Sequence, residues 1–433
     1  MIKYGHPPRG DAGFSLRLSI FWIFFMQFGG YMKKWLKITI IVLSITLIIF
    51  IGYFLIQKYL QYKEEERIRN AIIKVDLVSN LNIEFNSEIY ISDLIESING
   101  TILDNRLINT EKLGLQEINF KYINEENIKV PYKFNVNIVD SIPPVVWLNN
   151  TYTIKVGYNK KLEDAIMCAD NYDDELLCEI IGNYDVNKIG NYDLTYHAMD
   201  SSGNETNQPF TLKVVKSTNS SSSTKKIAFS SIKEKYSTSN VKVGLDVSKW
   251  QGTIDFEKVK EAGVDFVYIK LGGQNGIGKD YYLDPKFETN IEGFKKVGIP
   301  VGLYYYSYSN SIEQAKKDAL WVLEQIKDYE IDLPIAYDWE NWSSYNKFHM
   351  SFYNLTKTAD MFMDTISKNG YETMLYSSKN YLEKIWLNTS HDIWLAHYTD
   401  KTNYEGKYRC WQMTSSATIP GIKDNTVDVD ICY

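Results

Sequence analysis

Pro334-Ile335-Ala336-Tyr337-Asp338-Trp339-Glu340 is the stretch on which the reading of this chain turns. It is a short apolar run that ends in two acids two residues apart. Residues i and i+2 of a strand point to the same side, so Asp338 and Glu340 are expected to share a face. The same arrangement recurs on either side. Val243–Val247 carries Asp246, within Gly244-Leu245-Asp246-Val247-Ser248-Lys249-Trp250-Gln251-Gly252, and Val427-Asp428-Val429-Asp430 lies near Tyr433. Short apolar runs alternate with amphipathic ones between them. Strands are expected at 243–247, 266–271, 301–306, 334–337, 373–376, 393–396, 409–412 and 427–429. Helices are expected at 256–262, 287–297, 312–327, 350–368 and 379–386. Eight strands with intervening helices predict a C-terminal (β/α) TIM-like barrel over residues 242–433. That length is small for such a barrel, so some crossovers must lack a full helix.

Catalytic groups of these barrels gather at the C-terminal ends of the strands, where the acids fall here. Glycoside hydrolysis uses a carboxylic acid to protonate the leaving oxygen and a negative group to meet the developing sugar cation. Crowded carboxylates raise the pKa of at least one member, which keeps it protonated near neutral pH. One acid at a strand end is commonly a turn or helix cap. Four of these acids, Asp246, Asp338, Glu340 and Asp428, on three strands beside many aromatics point to a site.

With these residues in view, the region from Val243 onward resembles the family-25 glycoside hydrolases, the Chalaropsis-type lysozymes. The elements that carry the resemblance stand in order: GLDVSKWQG at Gly244, FVYIKL at Phe266, GLYYYSY at Gly302, DWE at Asp338, LYSS at Leu375, WLAHY at Trp394, WQ at Trp411 and VDVD at Val427. The resemblance implies an N-acetylmuramidase that cleaves the β-1,4 bond after N-acetylmuramic acid in peptidoglycan glycan strands. It implies Glu340 as general acid and Asp338 as stabiliser of the developing cation or of an oxazolinium-like intermediate. Asp246 and Asp428 would orient and tune that pair. Tyr304, Tyr306, Trp339, Tyr376, Trp394, Tyr398, Trp411 and Gln412 would shape the sugar subsites. Two departures stand out: Tyr305 follows Tyr304 where the family often has His, and Asp430 stands where it usually has Asn. Asp430 would add negative charge if it points inward. Two other readings compete. One is an inactive wall-binding protein on the same barrel. The other is a chitinase, whose DxxDxDxE run is missing before Glu340.

The rest of the chain reads as a multidomain surface protein. ITIIVLSITLIIFIGYFLI at 38–56 is 19 residues without a charge, enough to span a bilayer core. Lys33, Lys34 and Lys37 precede it and place residues 1–37 on the cytoplasmic side. It is read as an uncleaved signal anchor, with the later domains extracytoplasmic and facing the wall. Residues 1–31, which include the apolar run Leu18–Phe28, are read as an upstream extension or interfacial segment. From 74 to 216 short alternating runs broken by Asn, Asp and Gly suggest β-sandwich modules, one at 74–139 and one at 140–216. Each ends in the same parts: a KxG turn at Lys112-Leu113-Gly114 or Lys188-Ile189-Gly190, an alternating strand, a polar loop and a last alternating strand. The second copy resembles bacterial immunoglobulin-like surface modules in its Pro143-Pro144 opening and its Tyr196–Asn204 segment. The first is degenerate. Both are read as spacers. Residues 217–241, with STNSSSSTKKIAFS at their start, are expected to be a flexible linker.

A pI near 5.5 and a net charge of -7 argue against a nucleic-acid binder, which would show a basic face. The four cysteines form two local pairs, Cys168 with Cys178 and Cys410 with Cys432, readable either as disulfides or as buried thiols. No Cys/His cluster has zinc spacing, and no metal or cofactor is expected. Asp170-Asn171-Tyr172-Asp173-Asp174 has calcium-loop composition but is read as a solvated acidic turn.

Overall fold

The computed structural model describes residues 34–218, 225–387 and 390–433. The run at 18–28 and the serine-rich core of the expected linker lie outside them. The chain divides into two compact units, Met1–Val139 and Asp140–Tyr433.

The first unit opens with helix α1 (Lys34–Asn70, 37 residues), about 55 Å long at 1.5 Å per residue. Residues 37–70 are long and apolar enough to cross a membrane by length and composition. The helix does not stop at the end of the apolar run at Ile56. It continues through the charged segment, where Lys63 pairs with Glu66 and Arg67 with Glu64 one turn apart.

Seven elements follow in an order that the second unit repeats. They are β1 (Val75–Leu77), β2 (Asn82–Glu84), a single 3-10 turn, β3 (Ile95–Ile98), β4 (Gly100–Ile102), β5 (Gly114–Asn124) and β6 (Lys129–Val139). The second unit begins with β7 (Val145–Val146), β8 (Thr151–Lys155), the short helix α2 (Leu162–Ala165), β9 (Cys168–Ala169), β10 (Leu177–Ile181), β11 (Gly190–Met199) and β12 (Glu205–Val215). The pairings coincide as well. The sheets run β4-β5-β6-β2 and β10-β11-β12-β8, each beside a two-stranded pair, β1-β3 or β7-β9. In both, the last strand pairs antiparallel with its hairpin partner and parallel with the early one. Strict alternation sets the cores: Ile118, Phe120 and Tyr122 face inward from β5, and Leu194, Tyr196 and Ala198 from β11. The internal echo in the sequence is therefore a duplicated β unit.

The expected linker is shorter than 217–241. Ile227–Ala228 (β13) pairs with a barrel strand, and helix α3 (Phe229–Tyr236) buries Phe229 and Ile232. The barrel follows: β14 (Lys242–Val247), α4 (Phe256–Glu261), β15 (Val267–Gln274), β16 (Tyr281–Leu283), α5 (Phe287–Lys296), β17 (Val301–Tyr306), α6 (Ile312–Ile326), β18 (Ile335–Asp338), α7 (Phe352–Ser367), β19 (Thr373–Ser378), α8 (Lys379–Lys384), β20 (Asp392–Ala396), β21 (Cys410–Ile419) and β22 (Ile422–Cys432). All eight expected strands form. They close as β14-β15-β17-β18-β19-β20-β21-β22 and back to β14. The result is a barrel-like domain rather than an eightfold repeat. β22 runs antiparallel to both neighbours, because a tight turn at Gly421 (φ 96°) joins it to β21 in place of a crossover helix.

Rings fill the barrel interior. Phe266, Tyr268, Met374, Tyr376 and Trp394 form one inner cluster. A Cβ on Gly302 would lie 2.3 Å from the Tyr268 ring, and one on Gly244 2.5 Å from the Phe266 ring, so the neighbouring strands need glycine there. Cys410 and Cys432 are cross-strand partners joined by a disulfide, and Cys168 is bonded to Cys178.

The second β unit is docked on the barrel. Trp147 packs on Tyr381 with ring centroids 5.0 Å apart. Asn346 bonds the carbonyls of Glu163 and Ile166 at 2.9 Å and accepts from the Cys168 amide. The Asp170–Asp174 run is not a solvated turn, since Asp170 is fully buried. It receives the amino end of α7. Phe352 and Tyr353 donate their amides to the carbonyls of Asp170 and Asn171, and Asp174 accepts from the Ser351 amide at 2.6 Å. Free amides at a helix start favour such acceptors.

Candidate active site

The mouth of the barrel is built by alternation. Asp338 closes β18 and points inward, 4% exposed, while its neighbour Trp339 points outward. Glu340 lies just beyond the strand end and is open to solvent. Asp246 on β14 and Asp428 on β22 are direct cross-strand partners. Five acids of the mouth act on one another: Asp246, Asp338, Glu340, Asp428 and, one step down β22, Asp430.

Burial and then the Glu340 carboxylate hold Asp338 well above the ordinary carboxylate range, with Lys270 opposing. Its Oδ1 has no hydrogen-bond partner among the described residues. Burial of the Glu340 carboxyl against the mouth wall raises it too, again against Lys270, although the side chain as a whole stays open. Asp428 is pushed up to about 7 by burial and by Glu340, while a hydrogen bond with Asp246 works the other way. Asp246 is raised by burial and then by Asp428 and Asp430. Two carboxyls that share a hydrogen bond in a buried place retain a proton between them.

Gln412 is the hub. Its Nε2 donates to Asp246 at 2.6 Å and to Asp428 at 3.4 Å. Its Oε1 accepts from the hydroxyls of Tyr376 and Tyr398, each at 2.9 Å. The amide thus holds two acids on one side and two phenols on the other.

The structure divides the expected sugar-contacting residues. Tyr304, Tyr306, Tyr376, Tyr398 and Gln412 reach the mouth. The pKa values of all four tyrosines rise, by burial and by its acids. Tyr398 is 58% exposed and offers an open ring. Trp339, Trp394 and Trp411 do not line a groove. Trp339 is fully buried outside the barrel wall against Trp342, Tyr345 and Phe348. Trp411 also points outward, 5.9 Å from the Tyr236 ring, with its Nε1 bonded to the His397 carbonyl. Trp394 points inward but below the mouth, and its Nε1 donates to Asp430 at 2.8 Å. Asp430 is completely buried and raised well above the usual range by its burial. It does point inward, and its burial opposes the added charge expected of an inward acid.

Sequence reasoning passed over Lys270. It lies on β15 with its Nζ 4.4 Å from the Tyr306 ring centroid and 5.8 Å from that of Tyr304. It is the cation that acts on both Asp338 and Glu340. The available signal was a charge inside the apolar run at Phe266–Leu271, where alternation with Tyr268 turns it inward.

Residues 245–422 match the sequence profile of glycosyl hydrolases family 25. The autolytic lysozyme of Clostridium acetobutylicum is 27% identical over 190 residues, 43% of this chain and 54% of that protein. Lysozyme M1 of Streptomyces globisporus is 40% identical over 69 residues, 16% of this chain and 21% of the relative. The chain spans about half the length of the first of these relatives. Among solved structures, the modular autolysin LytC from Streptococcus pneumoniae, in complex with a synthetic peptidoglycan ligand, aligns at 28% identity with a TM-score of 0.41, over 55% of this chain and 56% of that one.

Proposed function

We propose that this chain, through its glycosyl hydrolases family 25 domain at residues 245–422, hydrolyses the β-1,4 bond after N-acetylmuramic acid in peptidoglycan. The observation that carries the reading is the Asp338–Glu340 pair at the end of β18, one acid buried and one open, with Lys270 acting on both. Glu340, open to substrate and with its proton held more tightly than usual, gives that proton to the leaving glycosidic oxygen. Asp338 is positioned beneath it to meet the positive charge on the sugar, or on an oxazolinium ion formed by the substrate's own acetamido group. Lys270 favours the ionised form of Asp338 in spite of burial. Gln412 holds Asp246 and Asp428 against the pair, and Tyr304, Tyr306, Tyr376 and Tyr398 form the polar, ring-lined walls that sugars favour.

The remaining architecture fits an enzyme anchored by α1, with both β modules and the barrel outside the cytoplasm. Two disulfides suit an oxidising compartment. The duplicated β units are read as immunoglobulin-like modules. An inactive wall-binding protein on the same barrel is the second reading, and the presence of both Asp338 and Glu340 speaks against it.

The test is to incubate the detergent-solubilised chain and its Glu340→Gln variant with purified peptidoglycan and analyse the released fragments by mass spectrometry. New muramic-acid reducing ends from the wild type alone are expected. Equal release by both proteins would remove Glu340 from its role. Binding to the wall without release by either would favour the inactive module.

A further inference from the structure

A second group of acids lies in the docked β unit, away from the mouth. Asp140, Asp173 and Asp200 each turn a carboxylate oxygen to a common point, all within 4.8 Å of one another. They come from three places in the chain: the start of the unit, the loop before β10 and the turn after β11. Asp140 and Asp200 are buried. Asp170 is fully buried beside them. Its Oδ1 accepts the amides of Tyr172 and Asp173, while its Oδ2 has no hydrogen-bond partner among the described residues. Asn171, 7% exposed, donates its Nδ2 to Asp140 at 3.0 Å, and its Oδ1 likewise lacks a partner. Asp140 and Asp200 are the charged groups that act on Asp170, and only backbone amides oppose them. A buried acid oxygen on Asp170 and a buried amide oxygen on Asn171 thus lack hydrogen-bond partners among the described residues, beside three convergent carboxylates.

We propose that Asp140, Asp173 and Asp200, with the free oxygens of Asp170 and Asn171, bind a divalent cation of the calcium class. Calcium takes six to eight oxygens at about 2.3–2.6 Å, so two ligands of one ion stand at most about 5 Å apart, and the three carboxylate oxygens here lie within 4.8 Å of one another. The donors are all oxygen and hard, which suits calcium and not zinc. The site also has a consequence for the barrel. The same loop that supplies Asp170, Asn171 and Asp173 accepts the first amides of α7 through the carbonyls of Asp170 and Asn171 and through the Asp174 carboxylate. Asn354 adds two further bonds to Asp174 at 2.7 and 2.9 Å. The ion therefore fixes the loop that joins the β unit to the hydrolase barrel.

The full chain, stripped with a chelator, is titrated with calcium chloride by calorimetry, with thermal unfolding followed in parallel. One site per chain is expected, with Kd of about 10⁻⁶–10⁻³ M, a rise in melting temperature, and at least tenfold weaker binding in Asp173→Asn and in Asp200→Asn. Hydrogen exchange at the Ser351, Phe352 and Tyr353 amides should speed up when the ion is removed. No heat and no thermal shift in the wild type up to about 10 mM calcium, above the weakest extracellular sites, would overturn the proposal. So would binding unchanged in both variants, or binding lost in Glu340→Gln, which would place the ion in the mouth.

Discussion

The unit Asp140–Tyr433 holds two clusters of buried acids, and they meet the same electrostatic problem in different ways. In the mouth, Asp246, Asp338, Glu340, Asp428 and Asp430 are served by a nearby lysine, by the Gln412 amide and by an indole N–H. Their pKa values all rise, so the cluster holds protons more tightly than free carboxyls do. In the β unit, Asp140, Asp170, Asp173 and Asp200 have backbone amide, hydroxyl and side-chain amide partners, three of them turn oxygens to one point, and Asp170 keeps an oxygen without a hydrogen-bond partner among the described residues. A cluster that holds protons can deliver one to a leaving group. A cluster with spare oxygens in a fixed shell is suited to hold an ion. Burial alone does not choose between these outcomes; the donors around the acids do.

The largest expected effect sharpens the first half of that contrast. Asp338→Asn removes the carboxyl proposed to meet the sugar cation, and turnover should fall about 10³-fold. Fragment release within tenfold of wild type would place the stabilising charge elsewhere. Next comes Lys270→Met. The ammonium favours the ionised forms of Asp338 and Glu340, so its loss raises both pKa values further. The pH–rate profile should move toward higher pH, with about a tenfold loss at pH 5. A profile that stays in place would mean that Lys270 serves packing alone.

A third measurement compares the clusters directly. Asp170 has a folded pKa of about 6 and Asp428 one of about 7, both above the ordinary value. The folded state therefore binds more protons than the unfolded chain between about pH 4 and 7. The stability supplied by these protons is present at the acidic end and is lost as pH rises through that window. In the cation-free protein, melting should fall by several degrees between pH 5 and 8. Calcium should restore the part due to Asp170 and leave the part due to Asp428. A calcium effect that moves the pH–rate profile would break the separation of the two clusters. The smallest effect belongs to Asp430→Asn. A buried carboxyl whose proton is held more tightly than usual, and which accepts from Trp394, is replaced by an amide that can still accept, so activity should stay within about twofold. A large loss would show that Asp430 is ionised in the working enzyme.

Much of the barrel was legible because strand period is local. Eight apolar runs at the right spacing became eight strands, and acids at their ends reached one mouth. The tryptophans show where that reasoning ended. Trp339, Trp394 and Trp411 each sit beside a residue that matters, yet alternation turns Trp339 and Trp411 out of the barrel and leaves Trp394 below the mouth. Motif membership alone did not specify on which side of the wall a ring would lie. Lys270 was missed because a single charge in an apolar run has meaning only once the strand across the barrel is known.

Local pattern by itself was enough to establish an apolar helix, a repeated hairpin and a set of strand-end carboxylates, since each depends on residues within one element. The antiparallel β22, the Gln412 hub, the docking of the second β unit and the meeting of Asp140, Asp173 and Asp200 belong to the tertiary structure. Their partners lie tens of residues apart along the chain, and the energy of a buried charge depends on what surrounds it in space.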